Sequence, residues 1–217
     1  MKTIGYNKEE IKDKFDKFYT EGNKWSFSLT DPMYVVKKDI LKPILDKSKN
    51  ILDLGCADGE FLASLKDINS NKKIIGVDIS DIAINKAKQR NTYRELYTGY
   101  IDYVDLYTQN VEKFDLILLN EVLYYVDNYI QVLNTILKLS AKYVFVSLAM
   151  GPQFFAGKEA QNIENNFKQN GYKLVRKDIF DMSYKGGMPI RYWTFIYSLL
   201  GKRLKQTHKY IYIFEKI

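Results

Sequence analysis

Two aspartates stand at the ends of neighbouring apolar runs in the sequence. Asp53 lies within ILDLGCADGEF, ahead of Gly55 and Gly59, and Asp78 ends the run KIIGVD. Glycine has no Cβ, so a strand that ends at a glycine turn can bring its backbone close to a ligand. A carboxylate at the end of the next parallel strand is placed to accept hydrogen bonds from ribose hydroxyls. The pair therefore predicts a nucleoside-binding crevice at the carboxyl ends of two strands.

The spacing of the glycines indicates which nucleoside would bind. The dinucleotide fingerprint G-x-G-x-x-G packs a pyrophosphate against a helix N-terminus, and its G-x-G step is absent between Gly55 and Gly59. Asp58, at the start of a predicted helix, would repel a pyrophosphate, because the amide dipoles there already face a carboxylate. Asp53 is a natural partner for an ammonium group. A ligand with a ribose, an ammonium group and no phosphate fits best, and S-adenosylmethionine has this chemistry.

Residues 51–59 resemble motif I of the class I S-adenosylmethionine-dependent methyltransferases, in which an acidic residue precedes a glycine-rich turn. Asp78 stands at that family's ribose-binding position. The run FDLILL and the NEVLYYV after it are similar to the family's fourth strand and following segment, and NGYKLV is similar to the entry to its sixth strand. The resemblance implies an α/β, Rossmann-like, doubly wound seven-stranded sheet in the order 3-2-1-4-5-7-6, with strand seven antiparallel.

The resemblance and the predicted strand ends together assign a set of cofactor-binding residues. They are Asp53, Gly55, Cys56, Gly59, Asp78, Ile79, Ile101, Asp102, Asn120 and Trp25. Cys56 is expected to pack behind the cofactor rather than to act as a catalytic thiol, since no neighbouring histidine or lysine would lower its pKa. Asn120 is expected to contribute its backbone carbonyl. Trp25, with Tyr19, would either close over the methionine end of the cofactor or pack on the sheet edge. No metal is expected.

Three residues are candidates for the methyl-acceptor side of the site: Glu121, Tyr125 and His208. Glu121 directly follows predicted strand four, where carboxylates commonly face the crevice in this fold, although it would alternatively cap the next turn. Of Tyr124 and Tyr125, one is expected to face the pocket and the other to pack inward. His208, the only histidine, precedes the last strand among lysines, so it is either an exposed loop residue or a neutral base.

Hydrophobic periodicity and helix-start signals predict the elements that position these residues. Helices are predicted over residues 7–24, Met33–Leu45 with a kink or restart near Pro43, Glu60–Leu65, Ser80–Arg90 with Ser80 as N-cap, Tyr129–Leu139 after an Asp127 N-cap, and Lys158–Gln169 with Gly171 as C-cap. Strands are predicted at Ile51–Leu54, Lys73–Asp78, Tyr97–Asp102, Asp115–Leu119, Tyr143–Leu148, Tyr172–Phe180 and Tyr210–Phe214. Strands that alternate with helices predict a doubly wound, mostly parallel sheet.

The 217 residues, 46% of them apolar, are expected to form a single methyltransferase domain. Residues 1–50 would form an N-terminal helical cap, and residues 181–209 a basic and aromatic lid inserted between strands six and seven. A charged N-terminus argues against secretion, and a lone cysteine excludes an internal disulfide, so we expect a cytoplasmic protein, monomeric or homodimeric. No apolar run is long enough to cross a membrane.

The net charge is +7, and residues 182–217 carry seven basic residues against one acidic residue. A positive cleft wall concentrates anionic substrates. The leading hypothesis is therefore methylation of N or O on a small anionic metabolite, such as a nucleotide-linked or phosphorylated sugar. DLILLNEVLYYV is also similar to the nodulation-protein S type of N-methyltransferases, which act on an aminosugar oligomer.

Two other functions remain open from the sequence. The first is an RNA-modifying methyltransferase that uses the basic C-terminal segment, with Tyr192, Trp193 and Tyr210 as stacking groups. Nucleic acid is the less favoured partner, because the basic residues are mostly lysine and arginine dominates base recognition. The second is a non-catalytic domain that keeps the cofactor only structurally, against which the intact Asp53, Gly55, Gly59 and Asp78 argue.

Overall fold

Strands alternate with helices along the chain. A computed structural model describes residues 7–22, 32–65, 71–109, 111, 113–150, 157–181 and 208–217. For residues 32, 33, 150, 181 and 208 it describes the backbone alone. The helices are α1 (Lys8–Thr20), α2 (Pro32–Leu45), α3 (Glu60–Ala63), α4 (Asp81–Lys88), α5 (Tyr129–Lys138) and α6 (Gly157–Gln169), and two short 3-10 helices cover Ile101–Leu106 and Leu123–Tyr125. The strands are β1 (Asn50–Leu54), β2 (Lys73–Asp78), β3 (Glu95–Thr98), β4 (Leu116–Asn120), β5 (Tyr143–Met150), β6 (Tyr172–Asp181) and β7 (His208–Lys216).

These strands form one seven-stranded sheet in the order β3-β2-β1-β4-β5-β7-β6, which confirms the expected topology. β1 pairs in parallel with both β2 and β4, whereas β7 runs antiparallel to both β5 and β6. The strand order reverses between β1 and β4, and ligands of open α/β sheets bind at such a reversal, beyond the carboxyl ends of the strands. The topology therefore directs attention to the residues that follow β1, β2 and β4.

Both faces of the sheet are covered by helices. On one face, Leu52, Leu54 and Ile117 of the central strands pack into a core that includes residues of α5 and α6. On the other face, Ile51 and Leu118 pack into a second core with residues of α2 and α3. Alternate residues of one strand thus enter different cores, which explains why the central strands read as continuous apolar runs.

The predicted position of the third strand is wrong. β3 ends at Thr98, and the chain leaves the sheet at Gly99 instead of continuing to Asp102. The hydroxyl of Tyr107 fills the space that a side chain at position 99 would need, and the glycine leaves that space open. The chain then enters the 3-10 helix, which still brings Ile101 and Asp102 to the carboxyl edge of the sheet.

Polar side chains cap the helices that follow β2 and β4. Ser80 Oγ accepts a hydrogen bond from Ala83 N at 3.1 Å, as predicted for the start of α4. At the start of α5 the predicted cap is wrong: Asn128, not Asp127, directly precedes the helix, and its Oδ1 accepts from Gln131 N at 3.1 Å. The two residues are adjacent and both suit a cap, so their types did not distinguish them.

The predictions for Pro43 in α2 and for Gly171 after α6 have different outcomes. α2 continues through Pro43 to Leu45 as one helix, so of the predicted kink or restart the restart is wrong, and the kink stays a prediction. Gly171 has a φ of +80° just after α6, as its predicted role in ending that helix requires. Within the described ranges, each helix is too short or too polar to span a membrane.

Candidate active site

A pocket lies at the carboxyl ends of β1, β2 and β4, and α1 forms one of its walls. The residues that line it include most of those assigned from the sequence: Asp53, Gly55, Cys56, Asp78, Ile79, Ile101, Asp102, Asn120, Glu121 and Tyr125. Gly59 does not line the pocket; it has a φ of +75° at the start of α3 and packs against Tyr93 and Ala87. Trp25 lies outside the described residues, and only the backbone of His208 is described.

The turn after β1 is held against β2 and has no room for a larger residue at its first glycine. The backbone amides of Gly55 and Cys56 donate to the carbonyl of Val77 at 2.8 and 3.0 Å. Gly55 has a φ of +76°, and a Cβ there would lie 2.6 Å from Cγ2 of Val122. The glycine is thus required both by its backbone conformation and by the side chain that packs on it.

Asp78 is fixed by the turn that it faces. Its Oδ2 accepts from Ala57 N at 2.9 Å, and its Oδ1 accepts from Ser80 N at 3.0 Å. Burial raises the pKa of this carboxyl to about 6, against the effect of the two amide hydrogen bonds. Each carboxylate oxygen can accept more than one hydrogen bond, so both can still take a hydroxyl from a ligand in the pocket.

Asp53 is 3% exposed, and its Oδ2 accepts a hydrogen bond of 2.7 Å from the hydroxyl of Tyr93. Burial raises the pKa of Asp53 to about 7. Sequence reasoning missed Tyr93, which belongs to no motif and lies 40 residues from its partner. A tyrosine just before a predicted strand carries no signal of such a contact.

Asp58 and Cys56 also belong to the turn after β1. Asp58 is paired with Arg90, with 2.9 Å between its Oδ2 and Nη2 of the arginine. The guanidinium of Arg90 therefore partly compensates the repulsion of a phosphate expected from Asp58, and the missing G-x-G step remains the stronger indication against a dinucleotide. Cys56 is buried, and burial raises the pKa of its thiol, so the thiol is protonated and suits packing rather than catalysis.

Glu121 is the centre of a buried polar cluster at the end of β4. Its Oε1 accepts from Lys37 Nζ at 2.7 Å and from Ser147 Oγ at 2.8 Å, and it lies 3.2 Å from Lys209 Nζ. Its Oε2 accepts from the Tyr124 hydroxyl at 2.9 Å. The neighbouring lysine ammonium groups hold the pKa of Glu121 well below its usual range, despite its burial. The carboxylate is therefore a fixed negative charge at neutral pH.

Tyr124 and Tyr125 point in different directions, and one of them faces the pocket, as expected. Tyr124 turns to Glu121, whereas Tyr125 lines the pocket and meets the ring of Phe15 edge-on, with 5.0 Å between centroids. Phe15 and Tyr19 of α1 also line the pocket, so Tyr19 is at the site as one of its two predicted alternatives requires.

The C-terminal residues are only partly described. The backbone of His208 begins β7 and pairs with Met150 and Asp181, so this residue belongs to a strand rather than to the expected loop. Tyr210 is partly buried and stacks on Tyr212 with centroids 5.9 Å apart, which leaves it poorly suited to stack on a base. Residues 182–207, with Tyr192 and Trp193, lie outside the described ranges.

Comparisons with known proteins identify the family and the fold. A family model described as a methyltransferase domain matches residues 45–179, more than half of the chain. No curated protein matches it in sequence. The N-methyltransferase NodS from Bradyrhizobium japonicum WM9, in complex with S-adenosyl-L-homocysteine, has the same fold at 17% identity and a TM-score of 0.66, over 94% of this chain and 97% of that one.

Two other solved structures share the fold. The magnesium protoporphyrin IX methyltransferase ChlM from Synechocystis PCC 6803, with bound SAM, is 15% identical with a TM-score of 0.63 over 98% of this chain and 99% of that one. The N-terminal domain of EvdMO1, in the presence of SAH and D-fucose, is 11% identical with a TM-score of 0.60 over the whole of both chains. The sheet order and the family match together show that the chain belongs to the class I S-adenosylmethionine-dependent methyltransferases.

Proposed function

We propose that the protein takes a methyl group from S-adenosylmethionine and transfers it to N or O of a small anionic metabolite in the cytoplasm, with phosphorylated or nucleotide-linked sugars as the first candidates. The observation that carries the cofactor assignment is the pair of carboxylates, Asp53 and Asp78, at the ends of adjacent strands on one pocket. The acceptor class is supported by a separate group of charges at the end of β4.

The pocket residues suit this cofactor. Asp78 offers acceptor oxygens to ribose hydroxyls, and Asp53 offers a buried negative charge to the ammonium of the methionine moiety. Ile79 and Ile101 give the pocket an apolar wall that suits adenine. When bound, S-adenosylmethionine supplies the electrophilic methyl group, so the protein's own task is to orient the acceptor and to exclude water.

The acceptor side is supported by the charge of the Glu121 cluster. Two ammonium groups, of Lys37 and Lys209, surround the carboxylate of Glu121, so these three side chains together carry a net positive charge at the end of β4. Lys37 is almost fully buried, whereas 17% of the Lys209 side chain is exposed, and Glu121 is the member of the cluster that lines the pocket. A fixed positive charge at a cleft favours an anionic acceptor. Among the structural neighbours, EvdMO1 was crystallised with D-fucose, whereas ChlM acts on a porphyrin, so the choice of acceptor rests on these charges.

The acceptor-side roles differ among the three candidates. Glu121 is a weak base, because its proton affinity is lowered by both lysines; we propose that it positions the two ammonium groups. Tyr125 is at the pocket surface and is proposed to contact the acceptor. The role of His208 as a base stays a prediction. A neutral amine acceptor would need no base, whereas a hydroxyl acceptor would.

Calorimetric titration with S-adenosylhomocysteine tests the cofactor assignment. We expect the wild type to bind, and Asp78→Asn to bind roughly tenfold or more weakly, because a charged hydrogen-bond acceptor is lost. Asp46→Asn is the matched control, since Asp46 is half-exposed just after α2, is paired with Lys42 and does not line the pocket. Equal binding by wild type and Asp78→Asn would contradict the ribose assignment.

A panel of acceptors tests the substrate class. Release of S-adenosylhomocysteine should be stimulated by phosphorylated or nucleotide-linked sugars more than by the same sugars without phosphate. Lys209→Met should raise KM for the anionic acceptor with little change in cofactor affinity. The RNA alternative is supported by the basic C-terminal segment, and salt-sensitive RNA binding together with RNA-stimulated turnover would favour it instead.

A further inference from the structure

Tyr93 reaches the base of the pocket from the segment between α4 and β3. Its hydroxyl donates to Oδ2 of Asp53 at 2.7 Å. Two glycines leave the space for its ring: a Cβ at Gly59 would lie 2.9 Å from Cε2 of Tyr93, and a Cβ at Gly76 would lie 2.8 Å from Cδ1 and from Cε1. Gly76 is the β2 partner of Asp53 in the sheet. The ring is thus seated directly beside the aspartate whose oxygen it contacts.

The hydrogen bond from Tyr93 is the main polar contact of the Asp53 carboxylate among the described residues. Within the same ranges, this carboxylate has no other hydrogen bond from a side chain and no ion pair. The titratable groups that face it are Asp78 of β2, Cys56 of the turn and Tyr93 itself, all of them neutral or acidic. A buried carboxylate without a cation is costly to ionise, so this site is prepared for a cationic ligand.

We propose that Tyr93 is a positioning residue: its hydroxyl holds the Asp53 carboxylate in the orientation that receives the cofactor's ammonium group, and Gly59 and Gly76 provide the seat for its ring. This inference rests on the proposed use of S-adenosylmethionine. It assigns to Gly59 a function beneath the pocket, in place of the direct cofactor contact that motif I suggests.

The proposal has a consequence for the pH dependence of binding. The ionised form of Asp53 binds an ammonium, so affinity is full above the pKa of the carboxyl and falls as the pH drops through it. Burial raises the pKa of Asp53 to about 7, and the hydrogen bond from Tyr93 acts in the opposite direction and keeps it from rising further. Removal of the hydroxyl therefore moves the loss of affinity to higher pH. Asp78, with a pKa of about 6, gives a second decrease at lower pH in every variant that retains it.

The competing explanation is that Tyr93 only fills space. Its ring would then matter for folding, and its hydroxyl would contact Asp53 without influence on the ligand. Tyr93→Phe keeps the ring and removes the hydroxyl, so it separates the two explanations. Tyr172→Phe is the matched control, because it removes another buried tyrosine hydroxyl, which donates to the Ala141 carbonyl at 2.9 Å away from the pocket.

The test is calorimetric titration with S-adenosylhomocysteine at several pH values between about 5.5 and 8. We expect Tyr93→Phe to weaken binding roughly tenfold near neutral pH and to shift the upper midpoint of the pH profile upward, and Tyr172→Phe to do neither. Asp53→Asn should abolish the decrease in affinity at the higher of the two pH values, which we call the upper step. In the Asp53→Asn variant, a further Tyr93→Phe substitution should have no additional effect on binding.

The outcomes are distinguishable. If Tyr93→Phe binds like the wild type with the same midpoint, the positioning role is overturned. If Tyr93→Phe fails to fold, 3-fluorotyrosine at position 93 decides, because its more acidic hydroxyl donates a stronger hydrogen bond to the ionised carboxylate: an upper midpoint that moves to lower pH supports the proposal, and an unchanged midpoint overturns it. If the wild type does not bind S-adenosylhomocysteine at any pH, it is the proposed function that fails.

Discussion

The ammonium of Lys37 lies 2.7 Å from Oε1 of Glu121, and this contact joins α2 to the end of β4. Only 4% of the lysine side chain and 10% of the glutamate side chain are exposed. Lys209, on β7, approaches the same oxygen at 3.2 Å. Segments far apart in the sequence therefore meet at one carboxylate beside the pocket, and Glu121 itself has a φ of 60°. We therefore expect its charge to stabilise the fold as well as the site.

We predict that Glu121→Gln lowers the free energy of unfolding by about 3 kcal/mol near pH 7, because it leaves two nearby ammonium groups without their carboxylate. Urea unfolding measures the change. Asp46→Asn is the control: Asp46 pairs with Lys42 at 3.2 Å, but both side chains are more than half exposed, and the loss should stay within about 0.5 kcal/mol. A loss as small as that of the control would show that the buried pair contributes little.

The same variant has a predictable pH dependence. The folded-state pKa of Glu121 is held below the value of 4.5 for a free glutamate, so its stabilisation is present above pH 4.5 and decreases as the pH falls further. The difference between wild type and Glu121→Gln should therefore be largest near neutral pH and should narrow by about pH 3. A difference that does not change with pH would assign the effect to packing rather than to charge.

Gly55→Ala should damage the turn more than its backbone conformation alone explains. An alanine must adopt a φ of +76° and place its Cβ 2.6 Å from Val122. Gly171→Ala is the control, since Gly171 has a φ of +80° but its Cβ would meet only the end of Lys216, at 3.6 Å. We expect a loss of about 1 kcal/mol for the control and at least twice that for Gly55→Ala, with weaker binding of S-adenosylhomocysteine only for the latter. Equal losses would mean that Val122 moves aside.

The elements that could be predicted from the sequence are those with local causes. β2 has its predicted bounds, and α4 starts at its predicted cap, because apolar runs and a serine at the helix start act over a few residues. The presence of Asp53, Gly55 and Asp78 at the pocket could be predicted from their positions at strand ends, since strand ends converge at one edge of a parallel sheet. The order of the strands came from the resemblance to a family.

Contacts between distant segments could not be predicted in this way. Lys37 and Glu121 are 84 residues apart, and Tyr93 and Asp53 are 40 apart. Each pair is brought together by the folded arrangement of distant segments, and neither lysine nor tyrosine type indicates a particular partner. The end of β3 depends likewise on the hydroxyl of Tyr107, which reaches back to Gly99.

The last prediction concerns the wall that α1 contributes to the pocket. Asp16, on this helix, accepts from Ser80 Oγ at 2.5 Å and from Lys12 Nζ at 2.6 Å, and Lys12 also pairs with Asp81 at 2.8 Å. These bonds attach α1 to the start of α4, next to Asp78. Asp16→Ala should loosen that attachment without a change in any pocket residue.

We expect Asp16→Ala to accelerate dissociation of S-adenosylhomocysteine by about threefold to tenfold, because α1, which carries Phe15 and Tyr19 of the pocket wall, loses one hydrogen-bonded anchor and would move away more readily to let the ligand leave. Stopped-flow displacement measures the rate. Asp13→Ala, on the exposed side of the same helix, should leave it unchanged. An unchanged rate in Asp16→Ala would mean that the ligand leaves by a path that does not involve α1, and a slower rate would contradict the role of this wall altogether.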